Sequence, residues 1–429
     1  MRLLILSFLC VIVLLVDWYC YKAILNSFKK WTPTSRNAFQ YIWWGVNGII
    51  ILGVFAAIFF NIYLTLRAII LVAFFLLTMA KLFMLPFLLI DDIRILIKRL
   101  TRPRAAKPLL TPAGSGTAGG SETFTDSPTD VDKISRSQFL TKAGLIMGAI
   151  PLSSLSWGIV SGAYDYQIKN VKLVLPNLPK AFEGMKIAQV SDIHSGSFYN
   201  KKAVLGGVEM LLKEKPEMVF FTGDLVNNMT SEMKDYQDIF AKINAPLGVY
   251  SILGNHDYGF YHFGQNPSAA RQRNFEDMLK THKNLGYDLL MNEHRRIKVD
   301  GEEIGVLGVE NWGMGRFPKI GRLDQAVENT DDLPVKLLLS HDPSHWRGEI
   351  LPKYQSIDAT FSGHTHGMQF GVRLDDFQWS PVKYIYPEWA GLYKNGNQQL
   401  YVNTGFGFLG YPGRVGILPE ITIFELART

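Results

Sequence analysis

Gly254-Asn255-His256-Asp257 and Ser362-Gly363-His364-Thr365-His366 are the two stretches that decide the fold, because each follows directly on a short apolar run. The run before the first is Val249-Tyr250-Ser251-Ile252-Leu253, and before the second it is Ala359-Thr360-Phe361. Both are β-branched or aromatic in flavour and short enough to be buried strands. Working outward, the same grammar repeats. The run 185–190 ends in Ser191-Asp192-Ile193-His194, 218–221 ends in Thr222-Gly223-Asp224, and 335–339 ends in Ser340-His341-Asp342, with a further strand predicted over 304–309. Helical periodicity fits 201–214, 231–243 and 270–285 between them. Strands alternating with helices predict an α/β layered domain, and in such folds sites form at the carboxyl ends of strands. In an extended segment residues two apart face one side, so Asp192 with His194, and His364 with His366, are expected to aim at one point. The glycines before Asp224, Asn255 and His364 allow sharp turns and close backbone approach.

Seven donors stand at these strand ends: Asp192, His194, Asp224, Asn255, His341, His364 and His366. None is a thiolate, since the two cysteines, Cys10 and Cys20, both lie in the first apolar run. Seven nitrogen and oxygen donors exceed the needs of one tetrahedral zinc and suit two divalent ions that share a bridging carboxylate. Imidazole with carboxylate is compatible with Mn, Fe or Zn and does not choose among them. A lone strand-end aspartate is commonly a turn residue; it is the joint pattern that argues for metal.

Asp-x-His, Gly-Asp, Gly-Asn-His-Asp, a lone His and Gly-His-x-His, in that order, resemble the calcineurin-like metallophosphoesterase superfamily, without departure at any ligand position. The resemblance covers about residues 184–429 and is strongest to a membrane-anchored bacterial phosphodiesterase-like branch. It implies a four-layer α/β/β/α sandwich with the metals at one edge between the sheets. It also implies roles: Asp192, His194 and His366 on the first metal, Asn255, His341 and His364 on the second, and Asp224 bridging. His256 would face the phosphate with Asn255 and protonate the leaving oxygen, oriented by Asp224 or Asp257, while metal-activated hydroxide attacks phosphorus. Tyr258 and Arg414 are further substrate-contact candidates, each with an equal alternative as wall or turn. His262, His282, His294 and His345 have no counterpart in the family pattern and are expected to be packed or surface histidines.

The chain has 429 residues, 48% hydrophobic and only 19% charged, which excludes a disordered or purely solvating protein. Most of the apolar excess lies in the first 90 or so positions. Runs at about 3–21, 41–66 and 68–90 each reach the roughly 20 residues that span a bilayer, and the last two, separated by little more than Arg67, predict a tight hairpin. Asp17 and Lys81 fall toward the ends of their runs, where snorkelling accounts for them. Residues 1–99 are therefore assigned to transmembrane helices, 100–138 to a Pro/Gly/Ser/Thr-rich flexible linker, 139–164 to a fourth transmembrane helix or signal-anchor, and 165–429 to the catalytic domain. The stretch 135–142 is similar to a twin-arginine export signal with Ser137 in place of the second arginine. Lysines and arginines after the first run (Lys22, Lys30, Arg36) and after the third (Arg94, Lys98, Arg99) orient both loops inward, which places the C-terminal domain on the extracytoplasmic face.

The sequence thus predicts a multi-pass protein of the bacterial inner membrane, a binuclear metal-dependent phosphoesterase acting on a phosphodiester, with a lipid-linked substrate suggested by the tether. The net charge of +6 sits beside the apolar runs, so no nucleic-acid partner is expected. Two alternatives stand beside this reading: a UDP-diacylglucosamine-type pyrophosphate hydrolase of lipid A synthesis, and a non-catalytic membrane sensor that retains the fold. Loops 259–269 and 370–397 are expected to set specificity, and their aromatic residues suggest an apolar ligand portion, membrane contact or core packing.

Overall fold

Four long apolar helices dominate residues 2–160 of the computed structural model, which describes residues 2–28, 30–60, 64–101, 136–374 and 377–428. They are α1 (Arg2–Ser27), α2 (Pro33–Phe59), α3 (Leu64–Thr101) and α4 (Arg136–Val160). Each contains a stretch long and apolar enough to cross a membrane, at Ser7–Ser27, Pro33–Phe59, Leu66–Thr101 and Arg136–Tyr164. Thr32 caps α2, accepting from the Ser35 amide, and Pro33 fills its first turn, so this helix starts well before its apolar run. Arg67 lies inside α3, not in a turn before it. Most of the linker assigned to 100–138, residues 102–135, lies outside the described residues, as does Ser135 of the export-like stretch.

The chain divides into two units, Met1–Ser154 and Leu155–Thr429. In the first, the snorkelling expected of Asp17 and Lys81 does not occur. Asp17 is fully buried, and Lys81 Nζ pairs with its Oδ1 while reaching Asn47 Oδ1 at 2.5 Å. Asn47 in turn donates to the Trp43 carbonyl at 2.8 Å. One cation thereby ties α1, α2 and α3 together, and breaking such a buried pair on one side costs about 3–5 kcal/mol. Gly144 and Gly148 let α4 approach α3: a Cβ on Gly148 would stand 2.7 Å from the Ala80 carbonyl oxygen.

The second unit is built on two six-stranded mixed sheets. The first runs β1 (Gln167–Val174), β14 (Glu420–Ala427), β2 (Lys186–Val190), β3 (Met218–Phe221), β4 (Val249–Ser251), β5 (Asp288–Leu289). The second runs β12 (Gly391–Asn395), β13 (Gln398–Val402), β9 (Ala359–Ser362), β8 (Lys336–Leu339), β7 (Glu302–Gly308), β6 (Glu293–Val299). The intervening β10 (Val372–Arg373) and β11 (Gln378–Trp379) form a separate hairpin. The central pairs β2–β3–β4 and β7–β8–β9 are parallel, so their carboxyl ends lie together.

Three cores account for the layering. Met218 and Phe220 of β3 face Phe361 and Phe424 between the sheets, while Val219 and Phe221 face the other way, onto α5 (Lys201–Lys213) and the helix Ala269–Leu285. On the second sheet Leu337 and Leu339 point into the shared core and Leu338 into a third one with Trp346 and Ile350. Strict alternation with both faces buried explains why these strands read as unbroken apolar runs. The four layers are helix, sheet, sheet and a thin layer of short helical turns. Residues 231–243 are not one helix: a 3₁₀ turn, Thr230–Asp235, and a short helix, Gln237–Phe240, meet at Tyr236.

Candidate metal centre

The loops leaving β2, β3, β4, β8 and β9 meet at one edge of the two sheets and bring the predicted donors into two groups. Asp192, His194 and His366 form one and Asp224, His341 and His364 the other, with ligand atoms of each group within 4.8 Å of one another. In the first, His194 Nε2 is 3.0 Å from His366 Nε2, and His366 Nε2 is 3.3 Å from Asp192 Oδ1. In the second, His341 Nε2 is 3.1 Å from Asp224 Oδ2 and 3.3 Å from His364 Nδ1. Asp224 Oδ2 is also 3.5 Å from His194 Nε2, so this carboxylate touches both groups.

Convergence does not come from strand alternation. Asp192 and His194 lie beyond the end of β2, and φ is +51° and +47° there; Asp224 (+58°), His364 (+73°) and His366 (+51°) share the left-handed conformation. Non-glycine residues pay about 1–2 kcal/mol each in that region, so five such Asp and His positions at one edge mark a candidate site held in place by the surrounding loops. Neighbouring glycines make the room. A Cβ on Gly254 would stand 2.2 Å from Asp224 Oδ1, and one on Gly363 2.1 Å from Asp192 Oδ2.

Electrostatics point to a cation. Burial works against the charges on Asp192 and Asp224, yet His366 beside the one and His341 beside the other hold both carboxyls below the usual range. Burial pushes His194 down to about 3. Burial also opposes charge on His341, but the Asp224 carboxylate outweighs it and lifts the imidazole to about 10. One imidazole thus carries the positive charge the buried carboxylates demand while its neighbour stays neutral, which is the balance a divalent ion would replace.

Donor chemistry fits metal as well. Asn255 is 3% exposed; its Nδ2 donates to the Tyr261 hydroxyl at 2.9 Å, leaving its Oδ1 buried without a hydrogen-bond partner. A buried amide oxygen without a hydrogen-bond partner fits an oxygen ligand whose cation is not yet counted. Outer partners fix the rings: His341 Nδ1 is 2.7 Å from the Thr222 carbonyl oxygen and His364 Nε2 is 2.8 Å from the Tyr386 hydroxyl.

His256 belongs to neither group. Its backbone amide donates to Asp224 Oδ1 at 2.8 Å, but its ring is oriented by the Asn227 carbonyl oxygen, 2.6 Å from Nδ1, and not by a carboxylate as expected. Asp257 instead caps the loop, accepting from the amides of Asp224 (2.9 Å), Leu225 (2.8 Å) and Gly254 (2.9 Å). Burial, with the Asp224 charge next to it, pushes Asp257 up to about 7.

Tyr258 and Arg414 are both buried among protein partners. Tyr258 is buried, its hydroxyl 3.3 Å from Glu310 Oε1 and accepting from the Asn311 amide. Arg414 is 1% exposed and spends its donors on the carbonyls of Thr404, Gly405, Gly407 and Ile417, with Nη2 3.3 Å from His366 Nδ1. It therefore supports the loop behind His366, buried away from solvent. His345 packs against Trp312 and His282 against Ser251 Oγ, as expected of core histidines. Tyr261, which stacks on His256 with centroids 4.3 Å apart, and Tyr386 are positioning groups that sequence reasoning did not assign.

A double mixed sheet that gathers buried Asp and His donors in left-handed loops at one edge defines a candidate metal centre. A family model described as "Calcineurin-like phosphoesterase" matches residues 185–368, and one described as "Probable Calcineurin-like phosphoesterase, transmembrane domain" matches 1–163. Residues 185–368 thus carry a calcineurin-like phosphoesterase domain, and the four apolar helices together with the second match support membrane integration. It is 28% identical to the uncharacterized metallophosphoesterase YkuE of Bacillus subtilis over 69% of this chain and 99% of that one. It is 26% identical to a transmembrane protein with metallophosphoesterase domain from Danio rerio, over 63% of this chain and 60% of that one. A third relative, the uncharacterized metallophosphoesterase Cj0846 of Campylobacter jejuni, is 28% identical over 61% of this chain and 63% of its own. The chain thus spans less than two thirds of the length of the latter two.

Proposed function

We propose that this protein is a phosphodiesterase of the bacterial inner membrane whose centre holds two divalent cations. Asp192, His194 and His366 hold one, Asn255, His341 and His364 the other, and Asp224 lies between them. The observation that carries this reading is the reach of Asp224 Oδ2 to both groups, 3.5 Å to His194 Nε2 and 3.1 Å to His341 Nε2. When bound, a pair of such ions neutralises the phosphate and supplies an activated water. The chain's own residues do the rest. His256 brings a proton to the leaving oxygen, Asn255 and His256 hold the phosphate, and Tyr261 keeps both in place. The donor set suits Mn, Fe or Zn. Purified full-length protein is expected to carry about two such metals per chain and to hydrolyse bis(4-nitrophenyl) phosphate in preference to 4-nitrophenyl phosphate. A single tightly held metal, or preference for the monoester, would overturn the corresponding half of the proposal.

The same reading makes the protein multi-pass, with its catalytic unit on the extracytoplasmic face and a lipid or envelope phosphodiester as substrate. Lys22, Lys30, Arg94, Lys98 and Arg99 at the ends of α1 and α3 support that orientation through the positive-inside rule. A C-terminal alkaline phosphatase fusion is expected to be active, and a C-terminal β-galactosidase fusion inactive. The reverse pattern would put the domain inside and favour a cytoplasmic nucleotide-lipid pyrophosphate as substrate.

A further inference from the structure

His366 opens the turn His366–Gln369, from which the chain runs straight into the β10–β11 hairpin and ends on the turn Pro381–Tyr384. The outer side of this excursion is apolar and open. Leu374 is 67% exposed, Phe377 57%, Tyr384 76% and Ile385 66%. Four large apolar side chains left open along one short excursion point to an interaction surface.

What covers them follows from what the hairpin is attached to. Its root is hydrogen-bonded to the loop 411–415: the Gly371 amide donates to the Val415 carbonyl (2.9 Å), the Val415 amide to the Gln369 carbonyl (2.8 Å), and Gln369 Nε2 to the carbonyls of Tyr411 (2.7 Å) and Gly413 (2.9 Å). That loop is seated on the last turns of α4. The Arg414 amide donates to the Gly158 carbonyl at 3.1 Å, the Tyr411 hydroxyl to the Leu155 carbonyl, and a Cβ on Gly158 would meet the Tyr411 hydroxyl at 2.6 Å. Trp157 and Val160 at this helix end are open, and Tyr199 donates its hydroxyl to the Ile159 carbonyl at 2.9 Å. Trp and Tyr collected where an apolar, membrane-length helix ends form the composition of a bilayer interface.

We propose that residues 370–374 and 377–385 and the end of α4 make one surface that rests on the bilayer α4 enters, so that the metal cleft opens among lipid headgroups. The partner is the lipid surface, and the substrate class is a phosphodiester borne on a membrane amphiphile; this deepens the phosphodiesterase reading and rests on it. Lys383, whose Nζ lies 5.3 Å from the Tyr384 ring centroid, adds a cation suited to anionic headgroups.

The test uses full-length protein in vesicles of phosphatidylethanolamine and phosphatidylglycerol. Nitroxide labels are attached through Ile385→Cys or, as an aqueous control on the helix Ala269–Leu285, Lys280→Cys, in a Cys10→Ser/Cys20→Ser background. The label at 385 is expected to be shielded from a water-soluble nickel chelate and the label at 280 open to it; equal accessibility would overturn the docking. The second arm combines Leu374→Asp with Ile385→Asp. Turnover of hexadecyl 4-nitrophenyl phosphate in the vesicles is expected to fall roughly tenfold or more, while soluble bis(4-nitrophenyl) phosphate changes less than about twofold. Unchanged turnover of the vesicle-borne ester would also overturn it. If the unsubstituted protein hydrolysed neither ester, the phosphodiesterase reading would fall, and the label depths would still decide the docking.

Discussion

Replacing Asp224 by asparagine is expected to strip the centre of metal and abolish turnover, the largest effect of any single isosteric change in the catalytic unit. Asp224 is 2% exposed, and one of its oxygens reaches His194 Nε2 at 3.5 Å and His341 Nε2 at 3.1 Å. Asparagine keeps the shape and removes the charge. If the amide oxygen stays toward the imidazoles, it replaces a bridging anion with a neutral dipole; if the amide flips, an N–H₂ faces two ring nitrogens that must be lone-pair donors to bind metal. Either way the charge that holds the cations is gone. Groups one shell further out typically cost ten- to a hundredfold in metal affinity when removed, so a bridging ligand should cost more than about a hundredfold. Metal content by plasma emission should fall from about two per chain to a small fraction of that, with circular dichroism unchanged. The substitution is isosteric and leaves the buried volume unchanged, so the fold is expected to stay intact. Retention of both metals by Asp224→Asn would refute the bridging role, and loss of metal with collapse of the spectrum would show a structural one.

The blocks Asp192-x-His194, Gly223-Asp224, Gly254-Asn255-His256-Asp257, His341 and Gly363-His364-x-His366 were legible because each follows a strand buried on both faces. Such strands write themselves as unbroken apolar runs with polar residues confined to the exits. The reason the blocks converge was not legible. Period-two alternation applies within a strand, whereas these donors sit past the strand ends, and five of them (Asp192, His194, Asp224, His364 and His366) have φ between +47° and +73°, a conformation set by tight loop packing. The outer strands were missed on different grounds. β1 pairs in parallel with β14 from the far end of the unit, Gln167 opposite Glu420, so neither carries a local partner signal. β6 is an edge strand whose sequence, Glu293-His294-Arg295-Arg296-Ile297-Lys298-Val299, is mostly charged because one side of it meets water. Arg414 reads like a phosphate ligand in a glycine-rich turn, and only tertiary structure shows four carbonyls absorbing its donors. Lys81 and Asp17 looked like end-of-span charges because sequence counts distance along one helix, and their pairing crosses between two.

His256→Ala is the counterpart experiment, because it should separate chemistry from metal binding. The imidazole contacts neither ligand group as a donor: its ring lies edge-on to His194 with centroids 4.9 Å apart and stacks on Tyr261 at 4.3 Å. Alanine leaves the backbone amide, and with it the 2.8 Å bond to Asp224 Oδ1, so the metals should stay. What is lost is Nε2. With Nδ1 committed to the Asn227 carbonyl at 2.6 Å, Nε2 is the nitrogen left to carry a proton to the leaving oxygen. A positioned general acid contributes about 10²–10⁴-fold, and the size of its contribution follows the basicity of the group it protonates. The loss in kcat should therefore reach several orders of magnitude for an alkyl phosphodiester, whose departing alkoxide is strongly basic. It should be smaller for bis(4-nitrophenyl) phosphate, whose phenolate leaves with less help. Metal content equal to wild type, with a rate deficit that grows with leaving-group pKa, is the expected signature. A uniform deficit across leaving groups would reassign His256 to phosphate binding, since charge stabilisation acts on all esters alike. Normal hydrolysis of both esters would remove it from the mechanism, and loss of metal would mean that its stacking with Tyr261 holds Asn255 in place.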